Sequence, residues 1–169
     1  MVEYVRGRQK VDKDTSKLEK AVTGKGVFVG RYTHSLDPKR RLTIPSVWRA
    51  QIGVPEVVYA LPDFHKPYLA LYTVGEMERR LEKLQQYSLT DEKAREAFST
   101  IGEYSDMMGL DSQGRIRIND KLLLFASITD RVVLNGAFNR IELWSSEKRS
   151  EPESVDQEAL RKAASLVDF

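Results

Sequence analysis

The chain contains no cysteine, which excludes a disulfide framework, thiolate metal ligands and a cysteine nucleophile. Histidine is nearly as scarce. His34 and His65 are the only two, and neither stands in a His-x-x-His or Glu-x-x-His spacing, so no metal site is expected. Long apolar runs are missing as well: the best, Leu122–Ala126, falls far short of the roughly 20 residues a membrane-spanning helix needs. Charges interrupt Met1–Lys10 where a secretory signal would place its apolar stretch, so the expectation is a cytoplasmic protein with no membrane partner. Nucleotide loops are also lacking. Gly24, Gly26 and Gly30 miss the dinucleotide spacing, and no Gly-Lys-Ser/Thr occurs. No cofactor and no small-molecule substrate are expected.

What remains is a chain of 169 residues, 41% hydrophobic and 31% charged, long enough to bury a real core as one compact domain or two small fused modules. Its 27 basic and 25 acidic residues nearly cancel, but their placement is uneven. Residues 1–26 carry a surplus of positive charge and lack sustained periodicity, which predicts a flexible basic arm. The segment from Ser146 onward is acidic on balance. Between Arg31 and Arg49, the five basic residues Arg31, Lys39, Arg40, Arg41 and Arg49 face Asp37 alone, a basic cluster that suits either a phosphate-rich partner or a solvated loop.

Alternation predicts a strand over Val27–Leu36, stopped by Pro38, and another over Leu42–Ile44, after which Pro45-Ser46 opens a short helical turn. Strands follow at Val57–Leu61 and Tyr68–Tyr72 around a turn-rich loop. Thr73-Val74-Gly75-Glu76 has the form of a capping box, leading a helix through Gln86 with Met77, Leu81 and Leu84 at helical spacing. Thr90 is placed to cap a second helix, whose stripe is Ala94, Ala97, Phe98 and Ile101. Both stripes are expected to be core.

The first pattern then returns. Leu36–Ile44 aligns with Leu110–Ile118, placing Asp111 74 residues after Asp37, and each aspartate precedes an arginine by four. Leu69–Tyr72 aligns with Ile141–Trp144 after a two-residue gap adjustment. Motif, order and length agree, which points to a duplicated unit with pseudo-twofold symmetry. The boundaries fall at 1–26 for the arm, 27–104 for the first unit with its helices, and 105–169 for the second with a C-terminal helix.

An Asp-x-x-x-Arg turn between two strands has a definite physical use. Asp37 or Asp111 can fold its carboxylate onto amides of its own turn, Gly114 can take a positive φ, and the following arginine projects from a fixed base. Its guanidinium can then bond two acceptors at once, on a guanine edge or a phosphate. An Asp–Arg salt bridge closing a hairpin is the plainer alternative.

The two Asp-x-x-x-Arg turns, the tract Val132–Trp144 and the Leu-x-Leu-Tyr of Leu69–Tyr72 resemble the MraZ family of bacterial transcriptional regulators, built from two SpoVT-AbrB-like units. The resemblance runs from about Phe28 into the acidic C-terminal segment. It implies an α+β fold, a duplicated swapped-hairpin AbrB-like β-barrel with surrounding helices. It further implies ring homo-oligomers, nucleoid association, and binding of double-stranded DNA carrying direct repeats upstream of the division and cell-wall gene cluster, including the regulator's own gene. The family turn Asp-x-Lys-Gly-Arg maps onto Asp37, Lys39 and Arg41, and again onto Asp111, Gly114 and Arg115. Arg40 departs from it, standing where Gly is usual; a positive φ there would cost on the order of 1 kcal/mol relative to Gly, unless Pro38 reshapes the turn. On this reading Arg41 and Arg115 enter the major groove, while Lys39, Arg40 and Arg117 hold flanking phosphates. Arg31 and Arg49 are expected as solvated rim.

No enzyme is expected. Paired aspartates could form a shared-proton dyad, but an arginine four residues from each would lower its carboxyl pKa and prevent sharing. The remaining alternative is a scaffold or antitoxin-type protein holding a protein partner, with Ser154 and Gln157 capping a C-terminal helix that carries Val155, Ala159 and Leu160.

Overall fold

The computed structural model describes residues 26–87 and 90–169; apart from Gly26, the basic arm expected over 1–26 lies outside them. The chain runs β1 (Arg31–Ser35), β2 (Arg41–Thr43), α1 (Ser46–Ile52), β3 (Val57–Pro62), β4 (Leu69–Thr73), α2 (Val74–Leu84) and α3 (Glu92–Glu103). It then continues with β5 (Asp106–Gly109), β6 (Arg115–Arg117), α4 (Asp120–Phe125), β7 (Arg131–Gly136), β8 (Ile141–Ser145) and α5 (Gln157–Val167). This is a mixed α+β fold in which all named strand pairs are antiparallel.

Six strands form one sheet in the order β1-β7-β8-β4-β3-β5, and β2 pairs with β6 as a separate ribbon. The expected closed barrel is not found among the described residues. After each Asp turn the chain leaves the sheet for the ribbon, so β1 and β5 remain as unjoined edges. The order reads the same from both ends when each strand of one half is exchanged for its counterpart. Register follows the same exchange: Tyr32 faces Leu134 and Asp106 faces Ala60, while Val58 faces Thr73 and Val132 faces Ser145. Strands of the first half thus pair with strands of the second, β1 with β7 and β5 with β3.

β1 is shorter than the expected run from Val27. Phe28 makes only an isolated bridge to Phe138, held by Phe28 N donating to Phe138 O at 2.7 Å. Gly136 permits this crossing, because a Cβ there would lie 2.6 Å from the Val29 amide nitrogen.

Leu42, Ile44, Trp48, Ile116, Ile118, Leu134 and Leu143 are fully buried in one cluster, each contributing roughly 1.5–3 kcal/mol by removal from water. Trp48 spans the ribbon and the edge strand: its Nε1 donates to Val29 O at 3.0 Å, and Tyr32 packs edge-on at 5.0 Å. A smaller cluster on the other side of β4 and β8 stacks Tyr68 on Trp144 at 4.5 Å. Beside it the buried Glu142 accepts from Trp144 Nε1 at 3.0 Å and from Arg140 Nη2 at 2.8 Å.

The helices differ from expectation. Thr73 Oγ1 accepts from Glu76 N at 3.2 Å as foreseen, but the Glu76 carboxylate does not reach back; Arg79, Arg80 and Asn139 engage it. Asp91, not Thr90, caps α3, and Asp156, not Ser154, caps α5. A carboxylate bearing full charge is the stronger acceptor at a helix N-terminus. The apolar stripes of α2 and α3 are not core either: neither helix has a buried residue, and Leu81 is 52% exposed. Met77 alone packs against the smaller cluster, because the sheet face beneath is already filled by Tyr68, Tyr72 and Trp144.

Candidate nucleic-acid interface

The ribbon alternates strictly. Leu42 and Ile116 face each other at 0% exposure, inside the core, while Arg41 stands opposite Arg117 and Thr43 opposite Arg115. Period-two geometry places these four on the outward face. One short ribbon therefore presents three arginines and a threonine from a rigid apolar base.

Each strand is entered by a turn of identical hydrogen bonding. Asp37 Oδ1 accepts from the Lys39 amide at 2.9 Å and the Arg41 amide at 2.8 Å, and Oδ2 from Arg41 Nε at 2.6 Å. Asp111 repeats the pattern with the Gln113 amide at 2.9 Å, the Arg115 amide at 3.0 Å and Arg115 Nε at 2.8 Å. Burial opposes charge on Asp37, but the Arg41 amide and guanidinium and the Lys39 amide together outweigh it and hold the carboxyl below its ordinary range. At Asp111 the Arg115 amide is the chief cause of the same lowering, over an opposing burial and with help from the guanidinium and the Gln113 amide. Both carboxylates are therefore charged at neutral pH. Each clasp uses Nε, and neither arginine's Nη atoms bond another described residue.

The salt bridge and the projecting arginine, which the sequence left as alternatives, coexist: the bridge fixes the guanidinium, and its outer edge stays available. Side-chain exposure is 30% for Arg41 and 23% for Arg115.

The two turns also interlock. Ile44 N donates to Gly114 O at 2.9 Å and Ile118 N to Arg40 O at 3.0 Å, so the residue before each arginine is tied to the opposite half. Arg40 has φ 60° and Gly114 φ 73°. The Arg40 turn is thus not reshaped by Pro38; it keeps the left-handed geometry with a side chain in place. That side chain turns toward α4, its Nε 3.5 Å from Asp120 Oδ1.

Lys39, Arg40 and Arg117 are exposed around the ribbon. Arg31 is elsewhere, donating from Nη2 to Arg149 O at 2.7 Å. Arg49 is not a solvated rim. From α1 it crosses to the second turn, its guanidinium lying over the Gly114 Cα where a Cβ would stand, with Nη1 3.5 Å from Gln113 O. Gly114 is the only sequence signal for this, since a missing side chain leaves room for another.

A second feature went unread in the sequence. Leu124, Phe125, Tyr104, Phe64 and Ile101 surround an apolar groove of about 520 Å³ between α3, α4 and the β3–β4 loop. Leu124 is 82% exposed at its rim. Among the described residues no cluster of His, Asp or Glu could hold a metal ion, and no helix is long and apolar enough to cross a membrane.

Residues 105–166 match the family described as "MraZ protein, putative antitoxin-like". The chain is 35% identical over 136 residues to the transcriptional regulator MraZ of Clostridium acetobutylicum, covering 79% of this chain and 94% of that protein. The protein of the same name from Clostridium tetani is 33% identical over 125 residues, 74% and 86% of the two chains. That from Alkaliphilus metalliredigens is 34% identical over 122 residues, 72% and 83%.

Proposed function

The chain belongs to the MraZ family, and from that membership and the ribbon's geometry we propose that it is a sequence-specific DNA-binding transcriptional regulator, not an enzyme. The observation that carries this reading is the outward ribbon face of Arg41, Arg115, Arg117 and Thr43, backed by buried Leu42 and Ile116. A two-stranded ribbon is one of the two elements the major groove admits. Arg41 and Arg115, each held at Nε by its own aspartate, offer their outer nitrogens to guanine O6 and N7. Lys39, Arg40 and Arg117 neutralise flanking phosphates.

We read residues 27–104 and 105–169 as the two units of a duplicated AbrB-like arrangement, and the exchange symmetry of strand order and register supports that. The target is direct repeats upstream of its own operon in the division and cell-wall gene cluster, as the family resemblance implies, with nucleoid association following from it. A ring homo-oligomer presents several ribbons to those repeats and gains affinity by effective concentration alone. Supporting assembly, the chain carries two unlike apolar surfaces: the groove at Leu124 and helix α5, none of whose residues is buried. We assign the groove to α5 of a second copy. A contact between unlike surfaces is heterologous and closes into a ring when its rotation permits.

Fluorescence anisotropy with duplexes carrying one, two or three repeats from the region upstream of its gene tests this at two salt concentrations. Affinity should climb with repeat number, fall steeply with salt and collapse in the Arg41→Ala, Arg115→Ala variant. Equal, weak binding to every duplex would end the reading and favour the antitoxin-type alternative, in which the groove and α5 serve a protein partner.

A further inference from the structure

We propose that the tips of the two turns divide the labour of DNA recognition: Lys39 and Arg40 of the first grip phosphate beside the base-reading Arg41, and Gln113 of the second is a specificity-determining residue that reads an adenine edge. This rests on the DNA-reading function above and extends it to residues that the Asp-x-x-x-Arg pattern leaves free.

The backbone gives an internal control. Both turns make the same clasp, with corresponding bonds differing by at most 0.2 Å, and both place a left-handed residue before the arginine. Whatever the tips do differently comes from their side chains. The first tip is Pro38-Lys39-Arg40, and the second is Ser112-Gln113-Gly114.

Their chemistry separates cleanly. Lys39 and Arg40 are donors only, and Pro38 has no polar side chain. Such side chains suit a phosphate oxyanion or the acceptor edge of guanine, but they cannot read adenine, which needs an acceptor beside a donor; the sideways posture of Arg40 toward Asp120 favours the phosphate. Counting each turn's aspartate and arginine, the first tip has a surplus of two positive charges and the second is neutral. Gln113 has a donor and an acceptor in one plane, the pair that matches adenine N7 and N6–H₂ in the major groove. Ser112 adds a hydroxyl of both kinds beside it.

The second tip is also braced for close approach. Gly114 presents no side chain, and its place is filled by the Arg49 guanidinium from α1. Arg49 Nη1 also lies against the Gln113 carbonyl, so the backbone carrying the reading amide is buttressed from behind. Gln113 is exposed, and its side-chain amide bonds no other described residue. Arg40, by contrast, is drawn sideways toward Asp120 and the Thr129 carbonyl, a posture that suits a backbone contact beside the groove.

The test is anisotropy of the full chain against the upstream repeat duplex, a scrambled duplex, and a panel with each base pair of the repeat substituted singly, over a salt series. The Lys39→Ala, Arg40→Gly variant should lose affinity for all duplexes by the same factor. Its log K against log salt should be shallower by nearly 2, at about 0.9 for each lost phosphate contact. Arg40→Gly relieves a left-handed arginine, so its melting temperature should rise, which separates lost binding from lost folding. Gln113→Ala should keep the wild-type salt slope. It should lose roughly tenfold preference at one A·T pair, within the range of a bidentate contact. Unchanged preference in Gln113→Ala, or altered base preference in the Lys39, Arg40 variant, would overturn the division. Wild-type binding by Arg41→Ala, Arg115→Ala would instead bring down the underlying reading, so the two failures are distinct.

Discussion

Arg41 on β2 stands directly across the ribbon from Arg117 on β6, two like charges on one face with the core behind them. Cross-strand pairs of like charge destabilise a ladder, by roughly 0.2–1 kcal/mol. Asp37 relieves part of this through Arg41 Nε, but Arg117 makes no salt bridge to a described residue. An arrangement that costs stability in isolation and presents two cations outward is suited to an anion arriving from outside.

The first prediction follows from that pair. Replacing Arg117 with Thr, a good strand former, should raise the folding stability at low ionic strength by up to about 1 kcal/mol. The gain should shrink as salt screens the repulsion. DNA affinity should fall in the same variant. Thermal melts at low and high salt, beside anisotropy on the repeat duplex, check both signs.

The Asp clasps set a pH dependence. Asp37 and Asp111 have carboxyl pKa values lowered below the ordinary 3.8 in the folded chain, so the unfolded chain binds protons first as pH falls. Their contribution is complete above the unfolded value and is lost as pH drops through the lowered folded values. The wild type should therefore lose stability below about pH 4, and Asp37→Asn, Asp111→Asn should show a flatter acid limb with a lower plateau at pH 7. Urea melts at intervals from pH 7 to pH 3 give the comparison. An acid limb unchanged by the double substitution would show that other carboxylates govern it.

Both clasps are legible in the sequence, since an aspartate four residues before an arginine in a strand-turn-strand setting has few other uses. The 74-residue offset between the two turns is also in the sequence, and the same offset relates the register of β1 with β7 to that of β5 with β3. What escaped reading was burial that depends on a third element. The stripe of Met77, Leu81 and Leu84 has helical period, but period cannot tell that Tyr68, Tyr72 and Trp144 already fill the sheet face beneath. Closure of the barrel was equally beyond local pattern, because it depends on whether β1 and β5 meet. Arg49 was hidden for a different reason: its destination lies 65 residues away, and only the empty place at Gly114 hints at it.

The left-handed residues Arg40 and Gly114 give a pair of opposite predictions. Arg40 holds φ 60° with a full side chain, and Gly there should stabilise the fold by about 1 kcal/mol. Gly114→Ala should destabilise by at least as much, since the new Cβ meets both a positive φ and the Arg49 guanidinium. Combining Gly114→Ala with Arg49→Ala should relieve the collision and leave only the backbone strain, a non-additivity that a double-mutant cycle measures by chemical denaturation. Strict additivity would mean that Arg49 does not occupy the place of the missing side chain.

Leu124 gives the prediction on which assembly turns. It is 82% exposed on α4, beside Phe125 at 43% and Phe64 at 69%, and it lines the apolar groove facing α3. A leucine so exposed contributes little to the fold of one chain, so Leu124→Glu should change the folding stability of an isolated protomer by no more than a surface substitution does, about 0.5 kcal/mol. If the groove receives α5 of a second copy, the same substitution puts a charge into an apolar contact that has no partner for it. Sedimentation velocity should then show the wild-type assembly shifting to smaller species in Leu124→Glu, and likewise in Leu160→Glu on α5. DNA affinity for a single repeat should hold while the advantage of three repeats over one disappears, because that advantage comes from linking ribbons together. Persistence of the full assembly in both variants would assign the groove to something other than a copy of this chain.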